Sequence, residues 1–199
     1  SAEQLPHVVH ICQAVAGFPL AIELAAAWIR ELSCAEIAAE LMEGVDRLET
    51  TERDVVPQHR SLRAVFNTSW RLLSSLEQRT LPGLSVFRGG FTQEAAHAVA
   101  GATPALLGTL RNKSLLRHAG AQRYDMHALI HQFSAEALDR EPSAAAPTQR
   151  AHSRYFLTLL ADQAVALDTR TAGAASALLQ PDWENIAIAW QWATAQMAL

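Results

Sequence analysis

The 199-residue chain has the length of one or two small domains and the composition of a soluble globular protein. Half of its residues are apolar, 18% are charged, and the mean hydropathy is +0.04, which excludes both a disordered and a membrane-embedded chain. Glu23 interrupts the apolar run that begins at Leu20, so no segment approaches the ~20 residues of a membrane span. Cys12 and Cys34 lie in helical patterns and no N-terminal signal is visible, so we expect a reduced, cytoplasmic protein.

Charge is distributed unevenly along the chain. Residues 1–58 carry three arginines against ten acids, a net charge of −7. Residues 59–140 carry a net charge of +5, and residues 141–199 a net charge of −2. The basic middle block could contact nucleic acid, a phosphate-bearing ligand or the acidic block before it, and composition alone does not choose among them.

Amphipathic helices dominate the first 48 residues, which we expect to form a helical subdomain. Gly17 ends a first helix, and Pro19 suits the first position of a second helix, where its missing N–H would be unpaired anyway. Ser33 and Glu36 form a capping box that opens a short third helix, with Gly44 after its end. Helical spacing marks the apolar face of the first helix as Leu5, Val8, Val9, Cys12 and Val15.

Residues 59–140 have the element order of a winged helix-turn-helix domain, with three helices, a β-hairpin and a closing helix. Ser74 and Glu77 form a second capping box, and Thr92 is placed to cap a helix that Gly101 closes. The remaining predicted elements are a helix from Pro104, a hairpin of residues 114–118 and 122–126, and a helix over residues 127–138.

Two segments without apolar periodicity predict linkers, residues 49–58 and the Pro-, Ala- and Ser-rich residues 141–150. Beyond the second linker, residues 151–199 predict two helices of an αα-hairpin, the start of a helical repeat array. The predicted fold class is therefore mainly α, with a helical subdomain, a winged helix-turn-helix domain and an αα-hairpin. Helical spacing predicts that the tryptophans lie in the core: Trp28, Trp70, Trp183, Trp190 and Trp192.

The sequence lacks the residues for ATP hydrolysis or metal catalysis. A P-loop places Gly-Lys-Ser/Thr after a glycine-rich turn, yet the one lysine of this chain, Lys113, follows Asn112. His127 and His131 lie four residues apart and could share a metal, but no third ligand or general-base glutamate accompanies them. We therefore expect that this chain is not an enzyme and holds no metal.

Four short stretches occur in the order found in one protein family. Residues 17–25 (GFPLAIELA) resemble the GLPLAIELAA motif of the signal-transduction ATPases with numerous domains, the STAND or NB-ARC group. Residues 84–92 (LSVFRGGFT) are similar to a signature of the bacterial branch, and residues 123–133 (RYDMHALIHQF) resemble the region that ends the family's winged helix. Residues 182–192 (DWENIAIAWQW) resemble the segment that opens its tetratricopeptide-like arrays.

The resemblance implies an internal piece of a nucleotide-dependent switch in a bacterial transcriptional regulator. In the family, the proline of the first motif lies against adenine, so Pro19 would pack there and Gly17 would allow close approach. The histidine of the third motif reaches the β-phosphate of ADP and holds the switch closed, so His127 would take that role. Ala128 stands where the family motif often has aspartate.

The same resemblance implies the cofactor and the partners. ADP or ATP would be bound by the full-length parent protein and not by this chain alone. The first partner would be a nucleotide-binding domain that precedes residue 1 in the parent chain. A homo-oligomer and protein ligands of the helical repeats would be further partners, and no membrane contact is implied.

A DNA-binding winged helix is the alternative interpretation of residues 59–140. Its recognition helix would run from Pro104 to Lys113, and the +5 charge of this block favours it. The N-terminal part of that helix is apolar, whereas recognition helices usually contact bases with that part. The candidate DNA contacts are Arg111, Lys113, Arg117 and Arg123.

Overall fold

The computed structural model describes residues 4–51, 57–120, 122–168 and 172–197, which are mainly α-helical with one small antiparallel sheet. This confirms the predicted fold class. The helices are α1 (Leu5–Ala14), α2 (Pro19–Ala27), α3 (Cys34–Thr51), α4 (Pro57–Arg71), α5 (Ser75–Gly83), α6 (Gln93–Ala100), α7 (Pro104–Asn112), α8 (Ala128–Asp139), α9 (Pro142–Leu167), α10 (Ala172–Leu179) and α11 (Trp183–Met197). The strands are β1 (Phe91–Thr92), β2 (Arg117–His118) and β3 (Arg123–Asp125).

The described residues divide into two compact units. The N-terminal unit comprises the residues up to Gln78 together with Leu110–Leu115, and the C-terminal unit comprises Arg79–Thr109 and the residues from Leu116 onwards. The division passes through α5 and α7. The domain boundaries expected from the sequence stay predictions.

The N-terminal unit is built from helices that pack on α3 and α4. Helix α3 packs against both α1 and α4, and α2 packs against α4. Leu24, Leu41 and Val65 are fully buried between these helices. The Nε1–H of the buried Trp28 donates to Ser69 Oγ at 3.0 Å, which joins the end of α2 to α4 and satisfies the indole donor.

Helix α9 is the central element of the C-terminal unit, because it packs against α6, α8, α10 and α11. An aromatic cluster lies beside it, in which the rings of Phe87 and Phe91 stack with centroids 4.6 Å apart and Phe87 meets Phe156 edge-on. The sheet has the order β1-β3-β2, so β3 is its central strand. Phe91 pairs with Tyr124, and His118 pairs with Tyr124 from the other side.

Most of the predicted helix ends are confirmed by their hydrogen bonds. Glu36 accepts from the Ser33 backbone N–H at 2.7 Å, and Glu77 accepts from the Ser74 N–H at the same distance, so both capping boxes form. The Thr92 hydroxyl accepts from the N–H of Ala95 at 3.2 Å. Pro19, Pro104, Gly17 and Gly101 also delimit helices as expected, the two glycines with φ of +68° and +65°.

The prediction that α3 ends at Gly44 is wrong, because this helix continues to Thr51. A β-carbon added at Gly44 would lie 3.3 Å from the β-carbon of Ala64 on α4. The glycine therefore permits the close approach of α3 and α4, and it does not end the helix. Residues 49–51 of the first predicted linker are helical, and its residues 52–56 lie outside the described part of the chain.

The C-terminal expectations also need correction. Residues 142–150, expected as a linker, form the first turns of α9, with Pro142 at a position where proline is tolerated and Pro147 inside the helix. Helix α10 lies between the two helices of the expected αα-hairpin and packs on α9. Strand β1 makes the expected two-stranded hairpin a three-stranded sheet.

Several residues expected in the core are exposed. Trp183 and Trp190 are 64% and 58% exposed, whereas Trp28 is buried as predicted. On the predicted apolar face of α1, Val15 is fully buried, but three residues are more than 40% exposed. These three are Leu5, Val8 and Val9.

Candidate functional site

The first candidate nucleotide contacts, Gly17 and Pro19, lie at the turn between α1 and α2. The N–H of Gly17 donates to the Cys12 carbonyl and that of Ala16 to the Gln13 carbonyl, which closes the last turn of α1. No described atom lies within 4 Å of a β-carbon built on Gly17. The turn itself therefore accounts for the glycine, and the space above it is open. Pro19 begins α2 and is exposed.

His127 is the N-cap of α8, directly after β3. Its Nδ1 accepts a hydrogen bond from the backbone N–H of Leu129 at 3.3 Å, so Nδ1 carries no proton and the ring proton lies on Nε2. The imidazole is half-buried, and Nε2 has no hydrogen-bond partner among the described residues. The ring can thus donate one hydrogen bond from the N-terminus of a helix, where the helix dipole favours an anion.

Gly17 and Pro19 belong to the N-terminal unit and His127 to the C-terminal unit. The structure therefore brings the two members of the first motif together, while their relation to His127 stays a prediction.

Lys113, a candidate DNA contact, is bound within the N-terminal unit. Its Nζ donates to the Leu72 carbonyl at 2.7 Å and to Glu77 Oε2 at 3.1 Å, and Glu31 Oε1 lies 3.7 Å away. The Glu77 side chain is only 6% exposed. The ammonium group thus caps the end of α4 and neutralises the capping-box carboxylate of α5.

The arginines among the DNA candidates differ in their surroundings. Arg123 forms a largely buried ion pair with Asp182, with side chains 15% and 12% exposed. Arg117 pairs with Asp125 across β2 and β3, and its Nε donates to Oδ2 at 3.0 Å. Arg111 is exposed at the end of α7. Lys113 and Arg123 would have to leave intramolecular partners in order to reach a phosphate.

A second cluster of polar and titratable residues lies where the loop after α5 packs against α9 and α11. The sequence did not predict this cluster. His152 is buried among the rings of Phe87 and Phe156, and burial lowers the pKa of its imidazole to about 4. Its Nε2 lies 3.3 Å from Asn185 Oδ1. The sequence shows His152 and Asn185 in helical patterns 33 residues apart, so only the packing of α9 on α11 identifies them as a pair.

A cavity of about 250 Å³ opens beside this cluster, and its polar lining includes Arg88, His152 and Asp139. The Arg88 guanidinium donates to the carbonyls of Ser85 and Phe87 and contacts His131 Nε2. Burial and the nearby Arg88 cation lower the pKa of His131. His127 and His131, which the sequence offered as a possible metal pair, therefore have different contacts. His131 contacts Arg88, and His127 caps α8.

Within the described ranges, no group of three or more histidine, cysteine or acidic side chains could hold a metal ion. Among the helices of those ranges, none combines the length and apolarity needed to cross a bilayer.

Comparisons with known proteins give relatives in mycobacteria. A protein of Mycobacterium tuberculosis named "Putative HTH-type transcriptional regulator" is 33% identical over 164 residues, which cover 77% of this chain and 18% of the relative. A protein of Mycobacterium bovis with the same description matches equally. A second M. tuberculosis protein, named only as uncharacterized, is 38% identical over 99 residues, which cover 50% of this chain and 25% of that protein. The chain thus spans less than a fifth of the length of the regulators it matches. No family model and no solved structure matches it.

Proposed function

We propose that this chain is the regulatory segment of a nucleotide-dependent switch in a transcriptional regulator. The names of the mycobacterial relatives support a regulatory role in transcription. Because those relatives are more than five times as long as the matched segment, they have room for a nucleotide-binding domain outside it. The order of the four family-like motifs supports the nucleotide-dependent part of the proposal.

The state of His127 is the observation that carries the proposal. With Nδ1 occupied by the Leu129 N–H, the ring is fixed as the tautomer that donates from Nε2. A donor at a helix N-terminus suits a phosphate oxygen, so the residues present fit ADP. A diphosphate supplies the negative charge, while His127 supplies a directed hydrogen bond that holds the winged helix in the docked state. Gly17 and Pro19 would contact the base from the N-terminal unit.

Exchange of ADP for ATP would favour the state in which His127 has lost its phosphate contact. A ligand shifts such an equilibrium only by its differential affinity for the two states, and the His127 hydrogen bond provides that difference. The undocked chain would then expose surfaces for homo-oligomerisation. This segment binds no nucleotide alone in the proposal and has no hydrolytic role.

The C-terminal helices would begin a tetratricopeptide-like array that binds protein ligands. Trp183 and Trp190 support this, because they lie seven residues apart on one side of α11 and are both more than half exposed. The proposed setting is the cytoplasm, where a regulator meets both its nucleotide and its promoter.

Calorimetric titration of ADP tests the proposal in a longer protein that includes the proposed nucleotide-binding domain. Serine is a good N-cap, so His127→Ser keeps the cap of α8 and removes only the imidazole donor, whereas His127→Ala removes both. Both variants should bind ADP about 10- to 100-fold more weakly, the value of one hydrogen bond to a charged group. The control is His97→Ala, which removes an exposed imidazole from α6 and should change nothing.

Two results would contradict the proposal. Unchanged ADP affinity in His127→Ser would reduce His127 to a helix cap, and a complete absence of ADP binding by the longer protein would reject the switch.

DNA binding by this segment is the second candidate, favoured by the "HTH-type" description of the relatives. Arg111 is the candidate contact to test first, because it is exposed at the end of α7. Fluorescence anisotropy with duplex DNA should show binding that weakens in Arg111→Gln but not in Arg154→Gln, which changes an exposed arginine of α9. Equal behaviour of the two variants would exclude a specific DNA contact at α7.

A further inference from the structure

The ion pair of Arg123 and Asp182 connects the central strand β3 of the sheet to the start of α11. Arg123 donates from one terminal nitrogen to Asp182 Oδ1 at 2.7 Å and from the other to Oδ2 at 3.2 Å, a two-pronged arrangement that fixes direction as well as distance. The first nitrogen also donates to the carbonyls of Gly90 at 3.2 Å and Pro181 at 3.1 Å. One guanidinium thus links β3, the turn before β1 and the turn before α11.

Asn185 extends this connection on the same face of α11, three residues after Asp182. Its side chain is fully buried, and each end of its amide bonds to the same turn, while Oδ1 also lies 3.3 Å from His152 Nε2. Oδ1 accepts the backbone N–H of Arg88 at 2.7 Å, and Nδ2 donates to the Gly90 carbonyl at 3.0 Å. A weaker contact from Nδ2 reaches Asp182 Oδ1 at 3.4 Å. A buried amide with both ends bonded has one orientation, so α11 and the turn are held in one register.

The turn before β1, which contains Gly89 and Gly90, also packs closely against β3. Gly90 has a φ of +83°, and a β-carbon added to it would lie 2.8 Å from the backbone oxygen of Tyr124. Gly89 has a φ of +70°, and a β-carbon added to it would lie 3.4 Å from Glu184 Oε2 of α11, an ordinary contact with the end of a side chain. Gly90 is therefore required by its close approach to the strand, whereas Gly89 is favoured by its positive φ alone.

Strand β3 ends at Asp125, only two residues before His127. Only the buried Met126 separates them, so a displacement of β3 would also displace the backbone of His127. We infer that Asp182 and Asn185 are positioning residues that hold β3, and through it His127, on the C-terminal helices. This inference rests on the proposed function for its biological meaning, since it connects the helical segment to the proposed phosphate donor. By reciprocity, a ligand that displaces α11 changes the affinity at His127, and a ligand at His127 changes the affinity at α11.

The first test uses this chain without nucleotide and reads the His127 ring by ¹⁵N NMR. Asp182→Asn keeps the shape of the side chain and removes the charge that holds Arg123. The ¹⁵N shifts of His127 should move from those of one Nε2–H tautomer towards an average of two tautomers, and the Leu129 amide signal should shift with them, because the cap is no longer held in place. Asn185→Ala should act in the same direction.

The matched control is Arg117→Gln, which breaks an ion pair to Asp125, a residue nearer to His127 in sequence, and leaves Asp182 and Asn185 unchanged. It should leave the His127 and Leu129 signals in place. If Asp182→Asn does not fold, Arg123→Lys replaces it, since lysine keeps the charge and loses the two-pronged geometry.

Unchanged His127 signals in a folded Asp182→Asn chain of lower thermal stability would overturn the inference, because the pair would then stabilise the fold without positioning the ring. Equal shifts in Arg117→Gln would overturn it as well. The result is independent of the ADP titration: moved signals together with no ADP binding by the longer protein would reject the switch and leave the connection between α11 and His127 established.

Discussion

Replacing Gly90 by alanine tests how tightly the turn before β1 is packed on the sheet. The backbone at Gly90 has a φ of +83°, and the added β-carbon would lie 2.8 Å from the Tyr124 backbone oxygen. The left-handed backbone costs a non-glycine residue about 1–2 kcal/mol. Relief of the clash needs a shift of strand backbone, which adds about 1–3 kcal/mol. We expect Gly90→Ala to lower the free energy of unfolding by about 2–5 kcal/mol, the sum of the two costs.

Gly101→Ala is the control, because Gly101 has a φ of +65° but no described atom within 4 Å of its added β-carbon. Gly101→Ala should lower the free energy of unfolding only by the cost of the left-handed backbone, about 1–2 kcal/mol. Urea unfolding followed by circular dichroism measures both losses, and both glycines lie in the C-terminal unit, so separate unfolding of the other unit affects the two variants alike. Equal losses, or a larger loss in Gly101→Ala, would refute the claim that contact with the strand limits Gly90.

Two further predictions concern charged groups. Lys113→Met leaves the buried Glu77 carboxylate without its cation and should lower the free energy of unfolding by about 2–3 kcal/mol. The control Arg71→Met breaks an exposed ion pair and should lower it by less than about 1 kcal/mol. Equal losses in urea titrations would contradict the difference in burial between the two pairs. The pKa of His152 is about 4 in the folded chain, below its ordinary value, so the unfolded chain binds a proton first as the pH falls. Stability should therefore fall by about 3 kcal/mol from pH 6.5 to pH 4, and His152→Gln should remove that part of the pH dependence; parallel curves would contradict the prediction.

Helix ends were predictable because their chemistry is local. A capping box needs only a serine and a glutamate three residues apart, and the Ser33–Glu36 and Ser74–Glu77 pairs both formed. A left-handed glycine after an apolar run is equally local, as at Gly101.

The features that sequence reasoning missed depend on residues far apart in the chain. Gly44 resembled a helix end, but Ala64 on another helix explains it. Pro142 and Pro147 suggested a linker, yet the packing of α9 on four other helices outweighs the cost of a proline near its start. Strand β1 has two residues and gains its partner only from β3, so no period-two pattern existed to reveal it.

In the candidate site, too, local features were predictable from the sequence and contacts between distant residues were not. His127 was expected at the start of a helix, and its N-cap hydrogen bond follows from that position. The partners of Lys113 and Arg123 lie 36 and 59 residues away, so a count of positive charge could not separate solvent-exposed cations from internally paired ones. The Asp182–Asn185 pair was visible as a motif, but its task became clear only from the turn that it binds.

The composition of the N-terminal unit constrains how the chain can fold during synthesis. Residues Leu110–Leu115 complete this unit, and the Lys113 side chain within them neutralises Glu77. A ribosome that has released only the first 78 residues has therefore delivered an unfinished core with an unneutralised acid. Folding of this unit has to wait until residue 115 has emerged, when most of the C-terminal unit, residues 116–199, has not yet left the ribosome. A stall in translation before residue 115 would thus leave a nascent chain with exposed apolar helices that a chaperone could bind, because the first 78 residues do not form a complete domain.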